Sequence, residues 1–306
     1  MTELPADSRK ALPITVVIPV YNRRDLLPAV VASVTGQEGF RVEHVLIVDD
    51  CSTDGSADVA AALGVEVLRL PVNGGAAAAR NAGLERVTTD WVAFLDSDDA
   101  WRPNLLATLW PATDGRVLVS GSAVLSAGGR PLTLIGPSRP PGRLLRSPRD
   151  VIVPENRVVT SSTIVRADVA RALGGFDVSL RYSEDLDLWV RVLREGTGWA
   201  DATPTITYNR GTSSKSQDTH GVDVARAGIV ARYTEAGWWR PADAEQYLGG
   251  MYWDAARTAL RARAWATARS ALLNCMRNPH RIRGLAACMG RHRRLRRRLT
   301  QLPDLS

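Results

Sequence analysis

The sequence has few of the residues that staple or metal-clip a small fold. Its 306 residues include three cysteines (Cys51, Cys275, Cys288) and four histidines. With an odd cysteine count and no CxxC spacing, neither a disulfide framework nor a zinc knuckle organises the chain. No apolar run approaches the roughly 18 to 20 residues that span a bilayer, which excludes an integral membrane protein. Residues 1–13 hold acids and prolines and no apolar h-region, so they do not read as a secretory signal. The expected location is the cytoplasm. One acid-free stretch is strongly basic: between Arg281 and Arg298 stand eight arginines and no acid. The net charge of +7 therefore belongs to this tail, and the remainder is close to neutral. Interleaved aromatics and recognised nucleic-acid modules are absent too, so nucleic acid is not an expected partner.

What is present is enough for a folded protein of about two domains: 45% hydrophobic and 23% charged residues rule out disorder over most of the chain. The first hundred residues alternate short β-branched runs with helical stretches, the rhythm of βαβ units and a mostly parallel, Rossmann-like sheet. Strands are expected at 14–20, 42–50, 65–70 and 91–96, with helices at 25–34, from a cap at Asp54 to Leu63, and after Gly74-Gly75. Polar residues then fall at strand carboxyl ends, where open α/β sheets bind ligands. The Pro-, Gly-, Ser- and Arg-rich stretch 127–154 reads as a loop excursion between two halves of one domain. Beyond it a strand is expected at 158–165, helices at 167–173 and 185–193, and a strand followed by a polar loop over 205–220. From Pro241 the pattern changes to helices at 242–262 and 264–277, a hairpin closed by Asn278-Pro279. The last segment carries apolar residues at 282, 285, 289, 295, 299 and 302, one helical face, with arginines opposite.

Three acidic groups stand at strand ends or a helix start: Asp49-Asp50, Asp96-Ser97-Asp98-Asp99, and Glu184-Asp185 with Asp187. Buried without partners such acids are costly, so they face solvent, a cation or a ligand. Read without a ligand, each has an ordinary explanation: a turn before Pro103, a surface Arg80 lying over alanines, a capping box in which Ser183 caps the helix over Glu184 and Asp185. Yet three aspartates within four residues repel one another unless a cation sits among them. The segment GGAAAA does not satisfy GxGxxG, which removes the dehydrogenase reading.

Taken in order, PVYN (19–22), VDDCSTDGS (48–56), NGGAAAARNAG (73–83), FLDSDD (94–99), GGFD (174–177) and SEDLDLW (183–189) resemble the successive motifs of the family 2 glycosyltransferases, over about residues 13–215. The resemblance implies a GT-A fold and transfer of a sugar, with inversion, from a nucleoside diphosphate sugar to an acceptor hydroxyl, UDP being the expected nucleotide. It places Pro19, Val20, Tyr21 and Asp50 around the base, Gly75 and Arg80 near the diphosphate, Asp96 on the ribose, Ser97 at the nucleotide sugar, and Asp98 on a divalent metal. It makes Asp185 the general base, with Glu184 holding the acceptor or orienting the base, and Asp99 a neighbour that orients the site. Mn²⁺ or Mg²⁺ suits hard carboxylate and phosphate oxygens. Trp189 reads equally as core or as a sugar platform. Many relatives carry a histidine after the strand ending at Tyr208; here Asn209-Arg210 stand there, so Arg210 or Lys215 is the alternative source of positive charge, His220 is misplaced, and the third metal ligand stays open.

The expected organisation is a catalytic domain over 1–235 and a helical hairpin with a basic amphipathic helix over 236–306, which shapes the acceptor side or an oligomer contact. The basic helix has three readings: lying on an anionic membrane at its inner face, docking an acidic protein, or a solvated helix. The acceptor (glycan, lipid-linked, small molecule or carrier-bound) is not written in the sequence. A nucleotidyltransferase of similar fold and a non-catalytic scaffold acting through the basic helix are the rival readings.

Overall fold

A computed structural model describes residues 8–128, 130–137, 139–152, 158–209, 218–261, 263–276 and 278–299. The opening strand β1 (Lys10–Val20) is buried from Val16 to Val20 because its apolar run faces helices on both sides. Helix α1 (Leu27–Thr35) leads to β2 (Phe40–Asp49), α2 (Ser56–Ala62) to β3 (Glu66–Arg69), and α3 (Gly75–Arg86) to β4 (Trp91–Phe94). After β4 come β5 (Ala100–Trp101), α4 (Leu105–Leu109) and β6 (Leu118–Ala127). The chain continues through β7 (Arg130–Ile135), β8 (Gly142–Leu145), α5 (Arg149–Ile152), β9 (Thr163–Arg166), α6 (Ala167–Ala172), α7 (Glu184–Val192) and β10 (Gly198–Asn209).

The strand order is β3-β2-β1-β4-β9-β6-β10-β5, with β7 on β6 and β8 on β10. Strands β3, β2, β1, β4, β6 and β10 run the same way, and β9 runs against its neighbours β4 and β6. The expected α/β architecture with a mostly parallel sheet is what the structure has. Two apolar layers flank it. One holds Val17, Phe94, Phe176 and Trp189, the other Ile14, Leu27, Trp101 and Leu105.

Three expectations are corrected. The stretch 127–154 is not a bare loop: β7, β8 and α5 extend the sheet, because Leu134, Leu145 and Val151 bury their side chains in the core. The run 158–165 is not one strand. Residues Thr160–Ser162 form a 3-10 turn before β9. There Ser120 Oγ accepts from the Val159 N–H at 3.1 Å and Thr163 Oγ1 donates to the Val159 carbonyl at 2.7 Å, so side chains replace the ladder. The polar segment after β10 leads into a 17-residue helix, α8 (Thr219–Glu235), that the sequence pattern did not announce; Ile229, Val230 and Tyr233 bury its inner face.

The C-terminal helices are α9 (Pro241–Arg261), α10 (Trp265–Met276) and α11 (Pro279–Leu299). Helix α9 packs against α8, α10 and α11. The simple two-faced tail is also corrected: Arg281 turns inward, ion-paired with Glu245 and 5.4 Å from the Tyr252 ring, while Ile282 is 47% exposed. The small residues Gly284 and Cys288 face α9, because the helices approach backbone to backbone there. Among the described residues no helix is long and apolar enough to cross a membrane.

Candidate active site

Every residue singled out for the site, namely Pro19, Val20, Tyr21, Asp50, Gly75, Arg80, Asp96, Ser97, Asp98, Glu184 and Asp185, lines one cleft of about 610 Å³. It opens at the carboxyl ends of β1, β2 and β4, which deliver Pro19 to Tyr21, Asp50 and Asp96 from three neighbouring parallel strands. Three non-glycine residues with left-handed backbone sit beside it: Asn22 (φ 52°) after Tyr21, Cys51 (φ 63°) after Asp50, and Ser183 (φ 61°) before Glu184. Each such conformation costs on the order of 1–3 kcal/mol and persists only where neighbours hold it. Those neighbours are identifiable for the first two: Ser52 Oγ accepts from the Asn22 N–H and Asn22 Oδ1 from the Thr53 N–H, zipping the two loops together.

The base-side carboxylate Asp50 is buried and accepts from the Gly74 N–H with one oxygen and from the Gly75 N–H with the other, both at 2.8 Å. It thus caps α3 from outside the helix, where the dipole favours a negative charge. Each oxygen keeps lone-pair capacity beyond that one bond.

Arg80 is not the surface arginine that its sequence neighbours allow. It is 5% exposed, donates to Asp96 Oδ1 and to Glu184 Oε1 (3.0 Å), and lies 5.2 Å from the Phe176 ring. Burial alone would favour its neutral form, but Asp96 and Glu184 overcome this and hold the guanidinium above the ordinary arginine value. One buried cation therefore ties the aspartate-rich turn after β4 to the start of α7. Asn81, next in α3, secures the same junction: it donates to the Phe176 carbonyl and accepts from the Phe176 N–H, both at 2.8 Å. Its Oδ1 would overlap a Cβ at position 175, so Gly175, at φ 67°, makes room for this bond.

The three clustered aspartates have separate fates. Asp96 pairs with Arg80. Asp99 is 1% exposed and turned inward, accepting from Ser161 Oγ and the Asn209 N–H. Burial, then Asp96 and Asp98, hold its carboxyl well above the usual range. Asp98 alone opens onto the cleft without an ion-pair partner among the described residues. Burial and the nearby Asp96 raise it. A hard divalent cation would relieve both effects, and Asp98 with Asp96 would supply its protein oxygens. Among the described residues no cluster of three or more His, Cys, Asp and Glu has metal-ligand geometry. The donor set therefore fits a cation completed by phosphate oxygens and water, not an all-protein cage.

At the other wall, Asp185 accepts from Thr160 Oγ1 (2.6 Å) with one oxygen and from the Leu186 N–H (2.7 Å) with the other. Its neighbour Glu184 is raised by burial and by Asp185, against the opposing pull of Arg80. The capping-box reading is corrected, since Ser183 makes no side-chain cap bond. Asp187 and Trp189 are structural. Asp187 accepts from Arg191, Arg232 and the Tyr233 hydroxyl, and Trp189 is buried edge-on to Phe176. Arg210 and Lys215 lie outside the described residues, as does the side chain of His220.

The cleft also contains residues from outside the motifs, Arg23, Arg181, Tyr182, Tyr208, Val222 and Arg226, and one motif residue given no role, Asn73. Adjacency to motifs could have suggested Arg23 and the Arg181-Tyr182 pair, and membership of one could have suggested Asn73. Val222 and Arg226 come from α8 and carried no local signal.

Residues 15–145 match the family model described as Glycosyl transferase family 2. The pre-mycofactocin glycosyltransferase of Mycobacterium tuberculosis is 35% identical over 201 residues, 60% of this chain and 39% of that protein. The succinoglycan biosynthesis protein ExoO of Rhizobium meliloti is 36% identical over 127 residues, 40% of this chain and 36% of that protein. The chain thus spans about two fifths of the length of these curated relatives. Among solved structures, S. aureus TarS 1-349 in complex with UDP-GlcNAc is similar with a TM-score of 0.62 at 17% identity, covering 95% of this chain and 92% of that one. The mannosyltransferase PcManGT from Pyrobaculum calidifontis, in complex with GDP-Man and Mn²⁺, gives 0.54 at 18% identity, covering 91% and 85%. At such identities the likeness shows a shared fold, the GT-A type.

Proposed function

We propose that this chain, a member of glycosyl transferase family 2 through its residues 15–145, transfers a sugar from a nucleoside diphosphate sugar to an acceptor hydroxyl with inversion at the anomeric carbon. One observation carries the reading: Asp98 and Asp185, 87 positions apart in sequence, line the same cleft. The base of the donor lies by Pro19, Val20, Tyr21 and Asp50, and its ribose and phosphates run toward Asp96, Ser97 and Gly75. A divalent cation held by Asp98 and Asp96 would supply charge neutralisation for the leaving diphosphate.

The chain's own residues do the rest. Asp185, oriented by Thr160 and the Leu186 N–H, takes the proton from the acceptor hydroxyl on the face opposite the leaving group. Glu184, fixed by Arg80, stands beside Asp185 on the same wall of the cleft, where it can hold the acceptor. UDP is the favoured nucleotide, in keeping with the UDP-GlcNAc bound by the similar TarS structure.

The test is product analysis with two variants. Asp185→Asn should lower transfer by about a thousandfold or more while nucleotide-sugar binding by calorimetry persists. Asp98→Ala should remove the response of turnover to added Mn²⁺ or Mg²⁺. Near-normal transfer by Asp185→Asn rejects the base assignment, and release of pyrophosphate from a nucleoside triphosphate would make the chain a nucleotidyltransferase.

A further inference from the structure

The half of the cleft beyond Asp185 is basic, and its basic residues come from outside the family motifs. Arg181 and Tyr182 lead into α7, and Arg226 reaches the cleft from α8 one turn after Val222. The two segments are joined: the Tyr182 hydroxyl donates to Asp218 at 2.8 Å, and a Cβ at Gly221 would meet the Tyr182 ring at 2.6 Å. The wall is therefore a built surface with its guanidinium on a long helix. Arg226 is largely shielded from solvent, yet among the described residues it closes no ion pair. Tyr247, against the opposing effect of burial, and then Asp185, Asp223 and Asp254 hold its guanidinium above the ordinary arginine value. Arg80 shows the contrast within the same cleft, since both of its terminal nitrogens are taken by carboxylates. A shielded, always-charged fork that faces a cavity without a carboxylate on it is a receptor for an oxyanion.

We propose that Arg226, with Arg181 lining the same cleft, binds a phosphate or carboxylate carried by the acceptor, so that the substrate class is an anionic alcohol and not a neutral sugar. This rests on the sugar-transfer reading of the cleft. The geometry is consistent with it: the anion would sit on the Asp185 side, placing a nearby hydroxyl of the same molecule against the base. The competing source of an oxyanion is the donor's own diphosphate, which the test separates.

The probes are glycerol 3-phosphate and, as its neutral match, glycerol, titrated by saturation-transfer NMR into the full chain held at saturating UDP and Mg²⁺. Glycerol 3-phosphate should bind beside UDP about tenfold more tightly than glycerol, the size expected of one charge-assisted bond. Arg226→Gln should erase the difference and Arg226→Lys should retain part of it; Arg181→Gln, on an exposed side chain, should weaken it. Equal binding of the two probes, or a preference that survives Arg226→Gln, overturns the proposal. So does displacement of UDP by glycerol 3-phosphate, which would assign the anion site to the donor. A chain that binds no UDP in calorimetry overturns the nucleotide-sugar reading itself, a result distinct from intact UDP binding without anion preference.

Discussion

The two walls of the cleft are built by different means. On the first, Asp50 and Asp96 sit at the ends of parallel strands whose register is set by the backbone ladder, and Asp50 is locked by two backbone amides. On the second, Arg181, Tyr182 and Arg226 are held by side chains: Tyr182 on Asp218, and the Asp187 carboxylate gripping Tyr233 and Arg232 of α8. The first wall can hardly vary without disturbing the sheet. The second can be re-cut by changes on one helix while the donor half stays intact, which suits an enzyme fold that keeps its donor chemistry and changes its acceptor.

The largest test of that contrast removes Asp187. Asp187→Ala leaves the buried Tyr233 hydroxyl and part of Arg191 and Arg232 without an acceptor, at a cost of about 3 kcal/mol. Urea unfolding should show this loss. If the walls are independent, UDP affinity should change by no more than about twofold; a parallel collapse of UDP binding would mean that α8 supports both walls.

A matched pair of glycines sharpens the same comparison. In α3, a Cβ at Gly83 would overlap Val17 of β1; in α11, a Cβ at Gly284 would overlap the Gln246 carbonyl of α9. Overpacking of either contact costs about 1–3 kcal/mol, partly offset by the better helix propensity of alanine. Thermal melts should show both losses. Only Gly83→Ala should also weaken UDP binding, because α3 carries Gly75 and Arg80. Weakened UDP binding in Gly284→Ala would tie the C-terminal helices to the donor site.

The same contrast explains what the sequence made legible. The ends of β1, β2 and β4 were readable from β-branched runs that stop at acids, and the motifs on them converge in one cleft. The order of Asn81 and Gly175 in separate motifs also has a physical basis, since one side chain pairs with the backbone of the other segment. Helix α8 was hidden because Gly221 and Gly228 interrupt its pattern and its inner face is completed by Tyr233, whose partner Asp187 lies 46 residues away. Thr160, which orients Asp185, was read as strand, because a β-branched run does not reveal that hydroxyls will replace its ladder bonds. The separate fates of Asp96, Asp98 and Asp99 likewise depend on Arg80, Ser161 and Asn209, none of them adjacent in sequence.

A smaller effect is expected from Tyr233→Phe, which deletes only the hydroxyl that donates to Asp187 at 2.6 Å. The ring keeps its stacking on Trp238, with centroids 4.5 Å apart. Loss of one buried hydrogen bond to a carboxylate costs about 1–2 kcal/mol in urea unfolding. Glycerol 3-phosphate binding should weaken while UDP binding holds; the reverse order would place α8 on the donor side.

The smallest effect concerns the join between the sheet's added segment and the C-terminal helices, where Asp243 at the start of α9 pairs with Arg149 of α5 at 2.9 Å and Arg240 at 2.8 Å. Burial pushes its carboxyl up, but the bonds from Arg240 and Arg149 outweigh burial and leave it below the usual carboxylate value. A carboxyl depressed by folding adds stability wherever the unfolded chain would be ionised too, and that contribution fades as pH falls through the folded-state value. Asp243→Asn should therefore lower stability at pH 7 by less than about 1 kcal/mol, since Arg240 is well exposed to solvent. The gap between wild type and variant should close below about pH 4. A gap that stays constant from pH 7 to pH 3 would mean that Asp243 acts through packing, and that the second region is attached by shape and not by charge.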